Sequence, residues 1–223
     1  MTDSQTTLNL EDDDMLNNGN GMMFSPAEDW RVEIKKRTHM LNQKYNALTE
    51  YQPEERKEIL REILGELNEN VVVQGPITFH YGRHTKVGKG TFINFNFTCQ
   101  DDTEVTIGEY CDFGPNVTIV TPIHPMLVTE RQALLCPDGV SRRLCYAKPV
   151  HIGNGCWIGA NVTILPGVTI GDNCVIGAGS VVVKSIPANS FAAGNPCKVI
   201  RTITEADSMK HKPEILGDCQ VIE

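Results

Sequence analysis

No stretch of this sequence approaches the roughly 18 consecutive apolar residues that a membrane-spanning helix needs, so a bilayer is not an expected partner. Positive charge is short as well. Twenty Lys and Arg stand against 28 Asp and Glu, a formal net charge of −8, and an acidic surface argues against nucleic acid. An anionic ligand must therefore meet a local basic cluster. The eight cysteines, at 99, 111, 136, 145, 156, 174, 197 and 219, contain no CxxC pair and no metal-ligand spacing; reduced, mostly buried thiols and no metal are expected. The acidic, Asn-rich start lacks the basic and apolar regions of a secretory leader, which points to a cytoplasmic protein. The NxT triplets at Asn96, Asn116 and Asn161 then read as corner asparagines followed by strand threonines rather than as glycosylation sites.

What is present is a period of six. Ile152, Ile158, Ile164, Ile170, Ile176 and Val182 recur at that interval, which matches neither the 3.6-residue helix nor the two-residue strand. Gly or another small residue follows the aliphatic in most units, as at Gly153, Gly159, Gly171 and Gly177. Each hexad therefore reads as a short strand plus a turn, and three hexads close a triangular coil with the aliphatics pointing inward. This is the hexapeptide signature of a parallel β-helix, in which each coil covers its neighbour's open core. Handedness does not follow from the spacing.

With 223 residues, 40% hydrophobic content and 19 glycines, the chain suits one modest domain with extensions. Residues 1–20 are polar and acidic, and disorder is expected there. Residues 21–70 read as a helical segment. In it, Val32, Ile34, Met40, Leu41 and Tyr45 form an uneven stripe, and "QPEERKEILREILGELN" starts a clearer helix with Pro53 and an apolar face of Ile59, Leu60, Ile63, Leu64 and Leu67. Residues 71–203 carry the hexads, at Val87 and Ile93, at Ile107, Phe113 and Ile119, and from Ile152 onward. The pattern is lost between Ile119 and Ile152, so residues 120–149 are expected to form a protruding loop of the kind that carries function. Residues 204–223 read as a mobile tail.

His124 opens that loop between Ile123 and Pro125. An imidazole ordinarily titrates where it can accept a proton from a hydroxyl near neutral pH. From the motif alone an ordinary loop histidine is the better reading. His80, His84 and His151 leave open a β-helix metal site of the γ-carbonic-anhydrase kind, although their separations show no convergent three-His arrangement.

The ordered series "FINFNFTCQDDTEVTIG", "NVTIVTPIHP", "PVHIGNGCWIGANVTILPGVTIGDNCVIGAGSVVVKSIP" and "FAAGNPCKVIR", with "YN" at 45–46 and "REILG" at 61–65, resembles the galactoside and maltose O-acetyltransferases over roughly residues 21–203. The resemblance implies a mainly β chain: a left-handed parallel β-helix with an N-terminal helical segment and a protruding loop. It implies acetyl transfer from acetyl-CoA, as co-substrate, to a small hydroxylated acceptor, in a homotrimer with active sites between neighbouring subunits. His124 then matches the general base, and the Ala160 N–H the donor to the thioester oxyanion. Trp157, Ala178, Val183, Lys184, Lys198 and Arg201 match the CoA groove, and Asn94 and Asp102 match acceptor contacts. Apart from the resemblance, Ala178 and Val183 fit coil packing, the basic residues fit solvated surface, and Asn94 and Asp102 fit a corner and a turn.

Two departures affect the acceptor. Ser25 and Pro26 stand where the family usually has an acidic contact, and His80 replaces a position commonly acidic or Ser. The segment "LLCPDGVS" also lengthens the loop. These changes leave acceptor identity open. A non-catalytic β-helix used for assembly remains the main alternative, and a metal-dependent hydratase a further one.

Overall fold

The computed structural model describes residues 23–221; the acidic start expected to be disordered lies outside them. The hexads wind into a triangular prism with three parallel sheets as its faces. The first face stacks Glu66–Leu67, Thr85–Val87, Val105–Ile107, Val150–Ile152 and Thr169–Ile170; the second begins with Val72–Val73, Phe92–Ile93, Asp112–Phe113, Trp157–Ile158 and Val175–Ile176; the third stacks Ile77–Phe79, Phe97–Gln100, Thr118–Val120, Thr163–Ile164 and Val181–Val182. Register keeps the inward positions above one another. Val87, Ile107, Ile152 and Ile170 pair in one column, Ile93, Phe113, Ile158 and Ile176 in the next, and Phe79, Cys99, Ile119, Ile164 and Val182 in the third. All of these side chains are buried.

Corners are made by residues that tolerate positive φ. Asn96, Asn116 and Asn161 adopt φ of 60°, 61° and 57°, and the Asn96 amide N–H donates to Asn116 Oδ1 at 3.0 Å. At another corner Cys111, Cys156 and Cys174 turn inward, and each thiol donates to a carbonyl of the next coil, that of Gly153, Gly171 and Pro187, at 3.1, 3.2 and 3.1 Å. Cys99, Cys145 and Cys197 are buried too, Cys136 is intermediate and Cys219 exposed, all as free thiols.

Helices α1 (Asp29–Asn46) and α2 (Pro53–Ile63) close one end. The buried face of α1 differs from the apolar stripe read in the sequence: it carries Arg31, Thr38, Leu41, Asn42 and Tyr45, while Met40 is exposed. The reason is the job it does. Strand Ile77–Phe79 is the open edge of the third face, and an unpaired edge must be capped. Asn42 donates to Phe79 O at 2.7 Å and accepts from Phe79 N–H at 3.3 Å. Asn46 does the same for Ile77, at 2.9 and 2.7 Å. Four helical residues advance about 6 Å and two strand residues about 6.6 Å, so asparagines one turn apart meet alternate strand residues. The Tyr45 hydroxyl caps Val73 O at 2.7 Å. Helix α2 supplies the apolar plug, with Leu60 and Ile63 buried.

At the other end, Ser190–Ala193 adds to the second face and Lys198–Thr202 pairs with it antiparallel. Beyond it lie short helical turns up to Leu216. No helix among the described residues is long and apolar enough to cross a membrane.

Replacing Asn42 by Ala leaves both backbone groups of Phe79 unpaired at a buried edge. The expected loss is about 2 kcal/mol or more, read as a lower urea midpoint at fixed protein concentration; a midpoint equal to wild type would show that the amide does not cap the sheet.

Candidate active site

The period is broken at one corner, between the third face and the first. Ile164 to Ile170 keeps the six-residue step, whereas Phe79 to Val87 and Cys99 to Ile107 take eight, and Ile119 to Ile152 carries the whole loop. The extra residues stack. His80, Tyr81 and His84 lie on the lowest corner, Asp101 and Asp102 on the next, and the loop stem above. Thr121 joins the upper two, its hydroxyl accepting from Thr103 N–H at 3.2 Å and donating to Gln100 O at 3.0 Å.

The loop leaves and returns as a ribbon, Pro122–Ile123 pairing antiparallel with Tyr146–Ala147. His124 follows directly and is exposed. The turn after it is held by Arg131 from the short helix α3 (Val128–Gln132), whose Nη1 donates to Pro125 O and Met126 O, both at 3.1 Å. The segment "LLCPDGVS" forms a hairpin, Leu134–Leu135 against Ser141–Arg142. Phe24 clips the N-terminal segment onto the loop base by paired bonds to Cys145, at 2.8 and 3.0 Å.

Buried carboxylates give this corner its electrostatics. Asp101 accepts from Tyr81 N–H at 2.9 Å, Gly82 N–H at 3.1 Å and the Thr85 hydroxyl at 2.9 Å. Burial nevertheless pushes its acid strength down. Asp102 is raised to about 6, by burial first and the Asp101 charge second, with Lys35, His84 and Arg31 opposing. His80 is lowered to about 4, by burial and then by Lys35, His39 and His84, so it is a neutral imidazole at neutral pH. Its Nδ1 lies 3.3 Å from His39 Nε2. His84 Nδ1 sits 2.6 Å from Asp101 O, and His151 pairs instead with Thr106 on the first face, at 2.8 Å. Among the described residues no group of three or more His, Cys, Asp or Glu side chains is arranged to hold a metal ion.

The remaining candidates lie elsewhere. Asn94, Ala160 and Ala178 occupy the corner between the second and third faces, where coils approach so closely that a Cβ on Gly114 would stand 2.6 Å from Ala160 N and one on Gly159 2.6 Å from Ala178 N. The Asn94 Oδ1 accepts from Phe95 N–H at 2.8 Å. Ala160 O accepts from Gly179 N–H at 2.8 Å, and no hydrogen bond from Ala160 N–H is found among the described residues. Trp157 begins a strand of the second face, 59% exposed. Val183 and Lys184 are exposed at the end of the third face, and Lys198 and Arg201 on the final antiparallel strand. Arg201 is already gripped by Asp207, through Nη1 at 2.7 Å and Nη2 at 2.6 Å. His124, Asp102 and His80 thus share one prism edge, and Asn94, Ala160 and Ala178 share another. The sequence reading passed over Arg31, Lys35, Tyr81 and Asp101, which surround Asp102; the adjacent acids at 101 and 102 were the one visible sign.

A coil of hexads with a loop grafted at one corner is a hexapeptide-repeat β-helix. The signature described as "Bacterial transferase hexapeptide (six repeats)" matches residues 149–184, and the "Maltose acetyltransferase hexapeptide capping motif" matches residues 20–68. The galactoside O-acetyltransferase of Lactococcus lactis subsp. lactis (strain IL1403) is 42% identical over 186 residues, 83% of this chain and 86% of the relative. A galactoside acetyltransferase solved in complex with coenzyme A superposes with a TM-score of 0.79 at 37% identity, covering 94% of this chain and 98% of its own. A hexapeptide-repeat acetyltransferase of Vibrio cholerae O1 biovar eltor, complexed with acetyl coenzyme A, gives 0.75 at 29% identity, covering 86% and 99%. The chain belongs to the galactoside and maltose O-acetyltransferase family, whose members are acetyl-CoA-dependent acyltransferases.

Asp101→Ala removes the acceptor for two backbone N–H groups and a threonine hydroxyl. Unfolding in urea is expected to show a loss on the order of 3 kcal/mol; a loss under about 1 kcal/mol would mean that other groups satisfy these donors.

Proposed function

We propose that the chain transfers acetyl from acetyl-CoA to a hydroxyl of a sugar or other small polyhydroxylated acceptor, at sites shared between neighbouring copies in a homotrimer. The observation that carries this reading is the separation of the candidate residues onto two prism edges. Within one chain, His124 with Asp102 and His80 does not share an edge with Asn94, Ala160 and Ala178; docking one copy's loop edge against the next copy's second-to-third corner brings the two halves together. Exposed apolar side chains support such docking on both halves, with Met126, Leu127 and Leu135 on the loop and Phe95 and Trp157 on or beside the other corner.

In this reading the His124 imidazole takes the acceptor hydroxyl proton as the oxygen attacks the thioester carbonyl. The oxyanion formed is met by the Ala160 N–H, a donor with no other bond among the described residues. Collapse expels the CoA thiolate, which recovers the proton from the imidazolium, so acceptor and acetyl-CoA become acetyl ester and free thiol. Trp157, Ala178 and Val183 line the CoA groove, and Lys184, Lys198 and, on release from Asp207, Arg201 meet its phosphates, which reconciles an anionic co-substrate with an acidic chain. Asn94, Asp102 and neutral His80 hold the acceptor by hydrogen bonds.

His124→Ala is expected to lower kcat by about 10²–10⁴ with acetyl-CoA affinity unchanged, measured as thiol release and direct CoA binding; equal turnover would remove the general-base assignment. Mixing unfolded His124→Ala and Asn94→Ala chains and refolding them together tests the shared site. Recovery of activity above either parent is expected, because mixed trimers contain sites that draw both intact residues from different copies. No recovery in assembled mixed trimers would place the whole site within one chain.

A further inference from the structure

Arg31 is a buried cation in an unusual setting. It is 2% exposed, its guanidinium lies over the rings of Phe24 and Trp30 at 4.6 and 4.2 Å, and its Nε donates to Glu28 Oε2 at 2.8 Å. Among the described residues its Nη1 is buried without a well-formed hydrogen bond, and so are the Tyr81 hydroxyl and Asp102 Oδ2, the Tyr81 hydroxyl lying close enough to Arg31 to act on it. These three residues act electrostatically on one another. They come from helix α1 and two stacked corners, gathered under the Phe24–Cys145 clip at the loop base that carries His124.

We propose that Arg31 is a positioning residue for the acceptor, holding Asp102 in place as a carboxylate so that it accepts hydrogen bonds from the acceptor's hydroxyls. The proposal rests on the reading of Asp102 as an acceptor contact. Two adjacent buried carboxylates cannot both ionise cheaply without a compensating cation. The groups acting on Asp102 are Asp101 beside it, Lys35 and Arg31 from α1, His84 and Tyr81 from the corner below, Cys99 from the third face and Cys145 from the loop base. Lys35 is engaged by Pro26 O at 2.7 Å. Arg31 is the one of these cations whose guanidinium is buried without a full set of hydrogen bonds among the described residues. Without it the neutral acid gains population toward neutral pH, a donor where the acceptor also needs to donate.

Burial puts the Asp102 midpoint at about 6, so a carboxylate that binds the acceptor when charged works above that pH and fails as pH falls through it. The test follows kcat/KM for maltose and for methyl galactoside against pH in wild type, Arg31→Met, Arg31→Lys and Asp102→Asn, with the KM for acetyl-CoA measured beside it. In parallel, ¹³C-carboxyl NMR of Asp-labelled protein titrates Asp102, its resonance identified by loss in Asp102→Asn. Arg31→Met is expected to move the Asp102 midpoint up by about one pH unit and so to raise acceptor KM about twofold at pH 7 and nearly tenfold at pH 5, with acetyl-CoA KM unchanged. Arg31→Lys is expected to restore the midpoint. A wild-type midpoint in Arg31→Met overturns the proposal, and so does an Arg31→Lys variant that behaves like Arg31→Met, since that result makes Arg31 only a structural clip. An unchanged acceptor KM in Asp102→Asn overturns it through the acceptor assignment instead. If neither sugar is acetylated by wild type, the carboxyl titration alone decides whether Arg31 holds Asp102.

Discussion

Everything in this molecule depends on register. A parallel coil buries its aliphatics only if each inward side chain lies directly over its counterpart one coil below, and a slip of one residue would turn the whole set outward. The columns through Ile93, Phe113, Ile158 and Ile176 and through Phe79, Cys99, Ile119, Ile164 and Val182 satisfy that demand. Corners must then be tight and nearly identical, which is why Asn takes positive φ and why Gly114 and Gly159 have no room for a Cβ.

A stack held this way has two ends, and each leaves strand edges open. The N-terminal helices solve the problem with side-chain amides rather than another strand, Asn42 and Asn46 pairing as a strand would. The final antiparallel strand solves it differently at the far end, by turning the chain back on itself. Capping and electrostatics are joined at the first end, because the same helix α1 that closes the third face brings the charges of Arg31 and Lys35 to bear on Asp102.

The coil was legible in the sequence because its signal is local and repeated: an aliphatic every six residues, with small residues after it. The loop was legible as the place where that signal stops. Helix α1 was harder, since its buried face is polar, and Arg31, Thr38 and Asn42 look like surface residues until the strand edge they serve is seen. His124 and Asp102 could be singled out only through the family resemblance, and their separation from Asn94 and Ala160 onto different edges needed the winding of the coil. The environment of Asp102 was invisible for the same reason: Arg31, Tyr81 and Asp101 approach it from three distant segments.

The corner that hosts the loop also shows how such a chain changes. A β-helix contacts itself only between adjacent coils, so residues added at a corner leave both flanking strands in register and the aliphatic columns unbroken. What they cost is loop-closure entropy, and each doubling of loop length adds only about 0.6 kcal/mol. Eight-residue steps, the ribbon behind His124 and the hairpin around Gly139 all lie on this one edge. New loops can therefore be tried at one corner while the scaffold beneath them is inherited intact.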